Sequence, residues 1–375
     1  MPATLPTPRL RWHLRWRGAA PRSSRSRQRS ARAVVAWGVA LVVLANVAIL
    51  VSLEAFWPNA RDPEYGYRLD RVRAHQRAHP DRPLVVAFGT SRTQNAFDPR
   101  SMAFPDEPGS PLVFNFGQGG APPLLQWLTH QRLLATDVRP EAVLVELCPL
   151  TLHLSGPAEV LFAPNTECLS AADVRRLEPY CGDPDALRRR WAAERPRVWR
   201  AQQSMMLSHI APEWQPWERR VDHYWDDTRA SGFAPYSAPV TDGERTRLRE
   251  SVGVAYFATL QQLRVAEFTK RAYRDLVTEC RARGVPVAFY LAPESPAFRS
   301  WYSPASREVL AAYCRELSAE FGTPVFGALD TMTEEDFADG HHMLPGGAAK
   351  YSRWLADTHL RPWLTSAVRG PSSSR

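Results

Sequence analysis

The chain has 375 residues, enough for one large domain or two small ones with full hydrophobic cores. Its formal net charge of +8 comes from the N-terminus, because residues 1–32 contain nine arginines and no acidic residue. The rest is nearly neutral, with 38 of the 47 basic residues against all 39 acidic ones, which argues against a nucleic-acid-binding protein.

The first predicted element is a membrane helix. Residues 1–32 are rich in Arg, Ser and Pro, and we expect them to form a disordered cytoplasmic tail. The 21 uncharged residues Ala33–Leu53 follow, and we predict a transmembrane helix over 33–56. Trp37 and Trp57 suit the two interfaces, and the arginine-rich flank predicts a cytoplasmic N-terminus and a domain outside the cytoplasmic membrane. A cleaved signal peptide is the alternative, although its charged and apolar regions would be unusually long.

A polar stalk over 57–80, with a short helix around Tyr65–Ala78, is expected after the membrane segment. The short apolar run Leu84-Val85-Val86-Ala87-Phe88 is typical of a buried strand. Gly89-Thr90-Ser91 follows at once and predicts a tight corner that carries a serine. Parallel α/β sheets place their chemistry at this end of their strands.

The main domain is expected over 81–365, with a disordered tail over 366–375. Strands alternate with helical patterns, which predicts an α/β fold with a parallel sheet and crossover helices. Further strands are predicted at 112–114, 142–147, 285–291 and 324–328, and further helices at 124–134, 244–283, 306–321 and 348–360. We expect the long helix over 244–283 to break around Gly253 and to be capped by Gly284.

Residues 151–245 interrupt this alternation. They are rich in Pro, Trp, Arg and Asp, and we interpret them as a helical insertion over the carboxyl edge of the sheet, where such segments often form substrate lids. Cys168 and Cys181 flank a short segment of it and could pair in an oxidising compartment. No cysteine spacing typical of zinc occurs, and the other cysteines are expected to be small buried hydrophobes.

A second candidate motif lies near the C-terminus, in Asp339-Gly340-His341-His342. Asp339 could orient the His342 imidazole while the other ring nitrogen faces Ser91, which is the arrangement of a nucleophile, a base and an orienting carboxylate. A solvated loop is the simpler interpretation of Asp-x-x-His alone. A metal site of Asp336, Asp339, His341 and His342 is conceivable, but no partner cluster appears elsewhere and we predict no metal. We expect His341 on the loop surface.

Three motifs in order resemble the SGNH (GDSL-like) esterase superfamily. They are Gly89-x-Ser91, then Asn115-Phe116-Gly117-Gln118-Gly119-Gly120, then Asp339-x-x-His342. The resemblance implies a three-layer α/β/α, flavodoxin-like fold with a parallel sheet of about five strands. It also implies Ser91 as nucleophile, His342 as base and Asp339 as orienter, with the backbone N–H groups of Ser91 and Gly120 in the oxyanion hole.

The sequence departs from this family after the third strand. The family has an asparagine there in a Gly-x-Asn corner, whereas this chain has Cys148-Pro149-Leu150-Thr151. Asn115, Arg92 or a group from the insertion is a candidate replacement. Arg92 could instead pair with Glu146 or with an anionic substrate group, and Glu294 could contact substrate or solvent.

These observations predict a membrane-anchored serine esterase or O-acyltransferase that acts on an acyl ester through an acyl-enzyme. The anchor and the motifs also resemble, more loosely, extracytoplasmic SGNH-like proteins of cell-envelope acylation, which implies an envelope polysaccharide as a possible substrate. No cofactor is expected. The alternative is a non-catalytic envelope protein that uses the same fold to bind a polymer or an acylation partner.

Overall fold

The computed structural model describes residues 24–57, 61–156, 166–195, 198–236, 240–327 and 330–367. The chain divides into two compact units, Met1–Ile49 and Leu50–Arg375. Most of the predicted N-terminal tail and nearly all of the C-terminal tail lie outside the described residues.

The first described element is the long helix α1 (Ser24–Ala55). Its segment Gln28–Leu53 is long and apolar enough to cross a membrane, because 26 residues at ~1.5 Å per residue exceed a hydrocarbon core of ~30 Å. Val34, Trp37 and Leu41 expose their apolar side chains. The helix begins earlier than expected, so residues 24–32, which we assigned to the disordered tail, are helical.

The second unit is built on a five-stranded, all-parallel sheet, which confirms the predicted fold class. The strand order is β2-β1-β3-β4-β5. The strands are β1 (Leu84–Gly89), β2 (Leu112–Gly117), β3 (Ala142–Glu146), β4 (Val287–Tyr290) and β5 (Val325–Phe326). Each of the five lies where the sequence predicted a strand.

Helices cover both faces of this sheet and complete the three layers. The further α-helices of the described residues are α2 (Pro63–Ala78), α3 (Ser91–Ala96), α4 (Pro123–Leu134), α5 (Ala171–Leu177), α6 (Pro184–Glu194), α7 (Val198–Ile210), α8 (His223–Asp226), α9 (Asp242–Gln261), α10 (Glu267–Ala282), α11 (Pro296–Arg299), α12 (Pro304–Phe321), α13 (Pro345–Leu355) and α14 (Arg361–Ala367). A π-helical turn, Ala356–Leu360, joins α13 to α14.

The core lies on the two faces of the sheet, because successive strand residues point to opposite sides. Val86 and Phe88 of β1 join the core formed with α2, α4, α10 and α12. Val85 and Ala87 join the opposite core, formed with the end of α3 and with α13 and α14. Burial on both faces explains why the strands are continuous apolar runs rather than alternating patterns.

Residues 61–78, expected in a stalk, belong to the domain. Helix α2 begins after Asp62, whose carboxylate accepts a hydrogen bond from the Tyr65 N–H at 3.2 Å. Tyr65, Leu69 and Val72 form an apolar stripe that is buried against the sheet core. The helix was predicted correctly, but its many charged residues concealed this stripe.

The insertion contains α5 to α8 and several short 3₁₀ turns, while its residues 157–165, 196–197 and 237–239 lie outside the described residues. Its last part returns to the edge of β2, where the Asn115 N–H donates to the Ser231 carbonyl at 2.9 Å. Gly232 has φ +82°, and a Cβ there would lie 2.0 Å from the backbone carbonyl oxygen of Asn115. Only glycine permits this close approach.

Two expectations for the later helices and the cysteines need revision. The long helical pattern forms two helices, α9 and α10, that are separated at Gln262 to Ala266 rather than at Gly253. Gly284 follows α10 in the left-handed region, with φ +70°, as expected for a helix C-terminus. Cys168 and Cys181 are thiols with no disulfide between them.

Candidate active site

Ser91 lies at the carboxyl end of β1, as predicted. The strand ends at Gly89, Thr90 caps the short helix α3, and Ser91 is the first residue of that helix. The Thr90 hydroxyl oxygen accepts a hydrogen bond from the Arg92 N–H at 3.1 Å. The cap fixes the serine in a defined turn.

Glu146, the last residue of β3, stabilises this turn through hydrogen bonds. One oxygen of its fully buried carboxylate accepts hydrogen bonds from the Thr90 N–H at 2.6 Å, the Thr90 hydroxyl at 3.0 Å and the Thr93 hydroxyl at 2.6 Å. A Cβ at Gly89 would lie 1.8 Å from Thr93 Oγ1 and 2.5 Å from Glu146 Oε2. Glycine is therefore required for the carboxylate to reach the turn. Sequence reasoning missed this positioning role, although an acidic residue closing an apolar strand is a usable signal.

Asp339 and His342 are brought together by a tight loop. Phe337 and Met343 form an antiparallel bridge, and the Ala338 N–H donates to the His342 carbonyl at 2.9 Å. Gly340 turns the chain between them with φ +103°. The spacing Asp-x-x-His thus matches the loop of a hairpin-like turn.

The three predicted triad residues form one hydrogen-bonded chain. Ser91 Oγ lies 2.7 Å from His342 Nε2, and His342 Nδ1 lies 2.6 Å from Asp339 Oδ2. The other Asp339 oxygen accepts the backbone N–H groups of His341 and His342 at 3.0 and 2.8 Å. With the carboxylate accepting from Nδ1–H, Nε2 is left as an acceptor for the serine proton.

Asp339 is suited to remain ionised. Burial raises the pKa of its carboxyl group, but the hydrogen bond from His342 and its electrostatic interaction with that ring outweigh burial and hold the pKa below its usual range. The carboxylate can therefore stabilise an imidazolium on His342 when the serine proton is transferred.

His341 is buried, contrary to our expectation of a surface residue. Its ring packs against Phe298 and Tyr256, with ring centroids 5.3 and 5.8 Å away. Burial, followed by the charge of His342, holds the pKa of His341 well below its usual value. Ligand atoms of Asp339, His341 and His342 lie within 4.8 Å of one another, but both ring nitrogens of His342 and both oxygens of Asp339 are used within the triad loop.

Arg92 and Glu294 bind each other rather than facing open solvent. Arg92 Nη1 donates to Glu294 Oε1 at 3.0 Å, whereas the nearest approach to Glu146 is 3.7 Å. The Tyr302 hydroxyl donates to the same Glu294 oxygen at 2.8 Å. Burial lowers the pKa of Arg92, but the surrounding negative charges, Glu294 foremost, outweigh burial and raise it. The predicted ion pair of Arg92 exists, with Glu294 as its closer partner.

Asn115 does not fill the gap left by the missing asparagine. Its fully buried side-chain amide donates to the carbonyl groups of Thr93 and Phe97 at 2.8 and 2.7 Å, and its oxygen accepts the Gly117 N–H at 2.9 Å. These bonds consume both amide hydrogens, so the expectation of an oxyanion donor here is wrong. Asn115 instead secures α3 against β2.

The turn after β2 and the end of β3 differ in the hydrogen-bond donors that they present to an oxyanion. Gly120 is exposed, with φ +62°, in the turn from Gln118 to Ala121, and its donor role remains a prediction. After β3, Pro149 has no N–H, the Leu150 side chain has no donor, and the Thr151 hydroxyl donates back to the Cys148 carbonyl at 3.0 Å.

No protein-family model matches the sequence, and no curated protein is significantly similar to it. The geometry of these residues is therefore what indicates a function.

Proposed function

We propose that this protein is a membrane-anchored serine esterase or O-acyltransferase of the SGNH type. The observation that carries the proposal is the continuous chain Ser91 Oγ–His342 Nε2 and His342 Nδ1–Asp339 Oδ2, at 2.7 and 2.6 Å. A serine alone is a weak nucleophile, and this arrangement supplies the base and the orienting carboxylate that activate it.

In the proposed reaction, Ser91 Oγ bonds to the acyl carbon while its proton passes to His342 Nε2. The carbonyl electron pair moves onto oxygen, where the backbone N–H groups of Ser91 and Gly120 are the proposed donors. Collapse of this intermediate breaks the ester C–O bond, and His342 returns the proton to the leaving oxygen. Water or a carbohydrate hydroxyl then removes the acyl group from Ser91 by the reverse sequence.

The proposed setting is the outer side of the cytoplasmic membrane. Segment Gln28–Leu53 supplies the anchor, and the excess of arginine before it favours a cytoplasmic N-terminus. An acyl ester of an envelope carbohydrate is then an accessible substrate.

The second candidate is a non-catalytic envelope protein that binds a polymer or an acylation partner. It is favoured by the end of β3, where Pro149 and Leu150 replace the family's oxyanion asparagine, and by the commitment of Asn115 to α3.

Labelling of the full-length chain in detergent with a fluorophosphonate probe separates the two candidates, because the probe reacts only with an activated serine. We expect labelling of the wild type, none of Ser91→Ala, and wild-type labelling of Ser300→Ala, which removes an exposed hydroxyl that only caps the α11 end. A folded wild-type protein that stays unlabelled, or equal labelling of Ser91→Ala, would refute the enzyme proposal.

A further inference from the structure

A cavity of about 540 Å³ lies beside the serine turn. Its walls include Gln94 and Asn95 of α3, Gly119 of the turn after β2, and Tyr236 of the insertion. Because α3 begins at Ser91, its residues Gln94 and Asn95 place the cavity about one helical turn from the serine. A substrate bonded to Ser91 could therefore extend into this cavity.

Arg68 of α2 lines the same cavity and is unusual among buried arginines. Its side chain is fully buried, yet Nε, Nη1 and Nη2 all lack a hydrogen-bond partner. Its nearest carboxylate is Glu64, with 4.0 Å between Nη1 and Oε1, which is too long for a hydrogen bond. A buried guanidinium without acceptors is costly, so an acceptor from outside the described residues is expected to stabilise it.

Among the described residues, Glu64 makes its hydrogen bonds with the serine side of the cavity and none with Arg68. The same oxygen, Oε1, accepts the Gly119 N–H at 2.8 Å and the Gln94 side-chain amide. Among the other lining residues, Arg220 is paired with Asp222, and Asp227 joins Glu64 as a lining carboxylate. Arg68 is thus a fully buried cation of this cavity, and all three of its guanidinium nitrogens lack a hydrogen-bond partner among the described residues.

We propose that Arg68 forms an anion-binding subsite, separate from the oxyanion hole. This subsite receives a carboxylate or phosphate group of the substrate while the ester of that substrate lies at Ser91. The planar guanidinium presents parallel N–H donors that match two oxygens of such a group, and a desolvated site strengthens these charge-assisted bonds. The inference rests on the proposed function for its substrate, but the subsite itself can be tested without catalysis.

The test measures binding to the full-length chain in detergent, in the Ser91→Ala background, by titration calorimetry. The probes are glucuronate, glucose 6-phosphate and neutral glucose. The two charged probes show whether the subsite binds a carboxylate or a phosphate. We expect at least one charged sugar to bind and glucose not to bind. In Arg68→Gln the binding should weaken about 10- to 100-fold, the equivalent of losing one or two charge-assisted hydrogen bonds.

Arg73→Gln is the matched control, because Arg73 lies on the same helix but pairs with Asp137 at 2.7 Å outside the cavity. If Arg68→Gln fails to fold, Arg68→Lys keeps the charge without the planar fork and should bind more weakly than wild type. A measurement on unmodified protein needs no variant: a charged sugar should slow fluorophosphonate labelling of Ser91, and glucose should not.

The outcomes separate the two proposals. Binding of neither charged sugar, equal binding of glucose, or unchanged binding in Arg68→Gln would overturn the subsite. An unlabelled Ser91 in a protein that still binds a charged sugar through Arg68 would overturn the esterase proposal and leave the subsite standing.

Discussion

Replacing Glu146 with glutamine tests whether a carboxylate under the serine turn sets both stability and reactivity. The change keeps the shape of the side chain but removes the charge that three hydrogen bonds share, from the Thr90 N–H, the Thr90 hydroxyl and the Thr93 hydroxyl. A hydrogen bond to a charged group contributes about 1.5–3 kcal/mol, and a neutral one about 0.5–1.5 kcal/mol. Each of the three bonds therefore loses about 1 kcal/mol.

The loss of stability should be about 3 kcal/mol in total, because the relief from burying a charge roughly cancels the lost attraction to Arg92 at 3.7 Å. For a domain of this size, that loss lowers the Tm by roughly 5–10 °C. The turn also positions Ser91 Oγ against His342 Nε2, and a displacement of about 1 Å can reduce reactivity about 100-fold. Thermal unfolding and the rate constant of fluorophosphonate labelling measure the two effects.

Asp173→Asn is the matched control for this experiment. Asp173 is likewise buried, and it accepts hydrogen bonds from the Ser170 N–H and hydroxyl and from Arg132, but it makes no contact with the serine turn. We expect a similar fall in Tm with an unchanged labelling rate. If Glu146→Gln unfolds earlier but labels at the wild-type rate, Glu146 only stabilises the domain and the positioning argument is wrong.

Three further predictions use the same assays. Asp339→Asn should fold but label about 10³- to 10⁴-fold more slowly, because an amide cannot stabilise the imidazolium; near-wild-type labelling would contradict the triad. Gly89→Ala should lower the free energy of unfolding by about 1–3 kcal/mol, since its Cβ would overlap Thr93, whereas Gly346→Ala has open space and should change it little; equal Tm values would contradict the packing argument. Burial holds the pKa of His341 well below 6.5, so this histidine stays neutral in the folded state. In the unfolded chain the same histidine takes up a proton below pH ~6.5. Stability should therefore fall as the pH drops below ~6.5, and the difference in Tm between pH 7.5 and pH 5 should be smaller in His341→Phe.

The sheet and the contact of Asp339 with His342 could be predicted because their signals are local in the sequence. Strands buried on both faces are short apolar runs, as at 84–88, and their order along the chain predicts a parallel sheet. Asp339 and His342 lie within one loop, so their meeting needs no knowledge of the distant packing. Their approach to Ser91 followed from the resemblance in motif order, and the structure places Ser91 and Asp339 each within hydrogen-bond distance of His342.

The interactions that could not be predicted join residues far apart in the sequence. Glu146 contacts Thr90 and Thr93 across neighbouring strands, and nothing local to either segment specifies that pairing. Helix α2 looked like a stalk because charged residues dominate it, and only the sheet core reveals why Tyr65 and Leu69 are apolar. Asn115 was misassigned because a motif position does not specify where the amide points.

The end of β3 bears on the choice between hydrolysis and transfer under the proposed function. Loss of one oxyanion donor typically costs about 10²–10³ in rate, and both formation and breakdown of an acyl-enzyme pass through a tetrahedral anion. If this chain is such an enzyme, Pro149 and Leu150 in place of the superfamily's asparagine would slow both steps, and an acyl group on Ser91 would persist longer before water removes it. A hydroxyl acceptor that is bound in the cavity beside the serine turn reacts faster than free water, because it is already positioned next to the acyl group. Under the proposed function the oxyanion pocket therefore affects both acceptors alike, and it is the cavity of about 540 Å³ beside the serine turn that favours transfer to a bound acceptor over general hydrolysis.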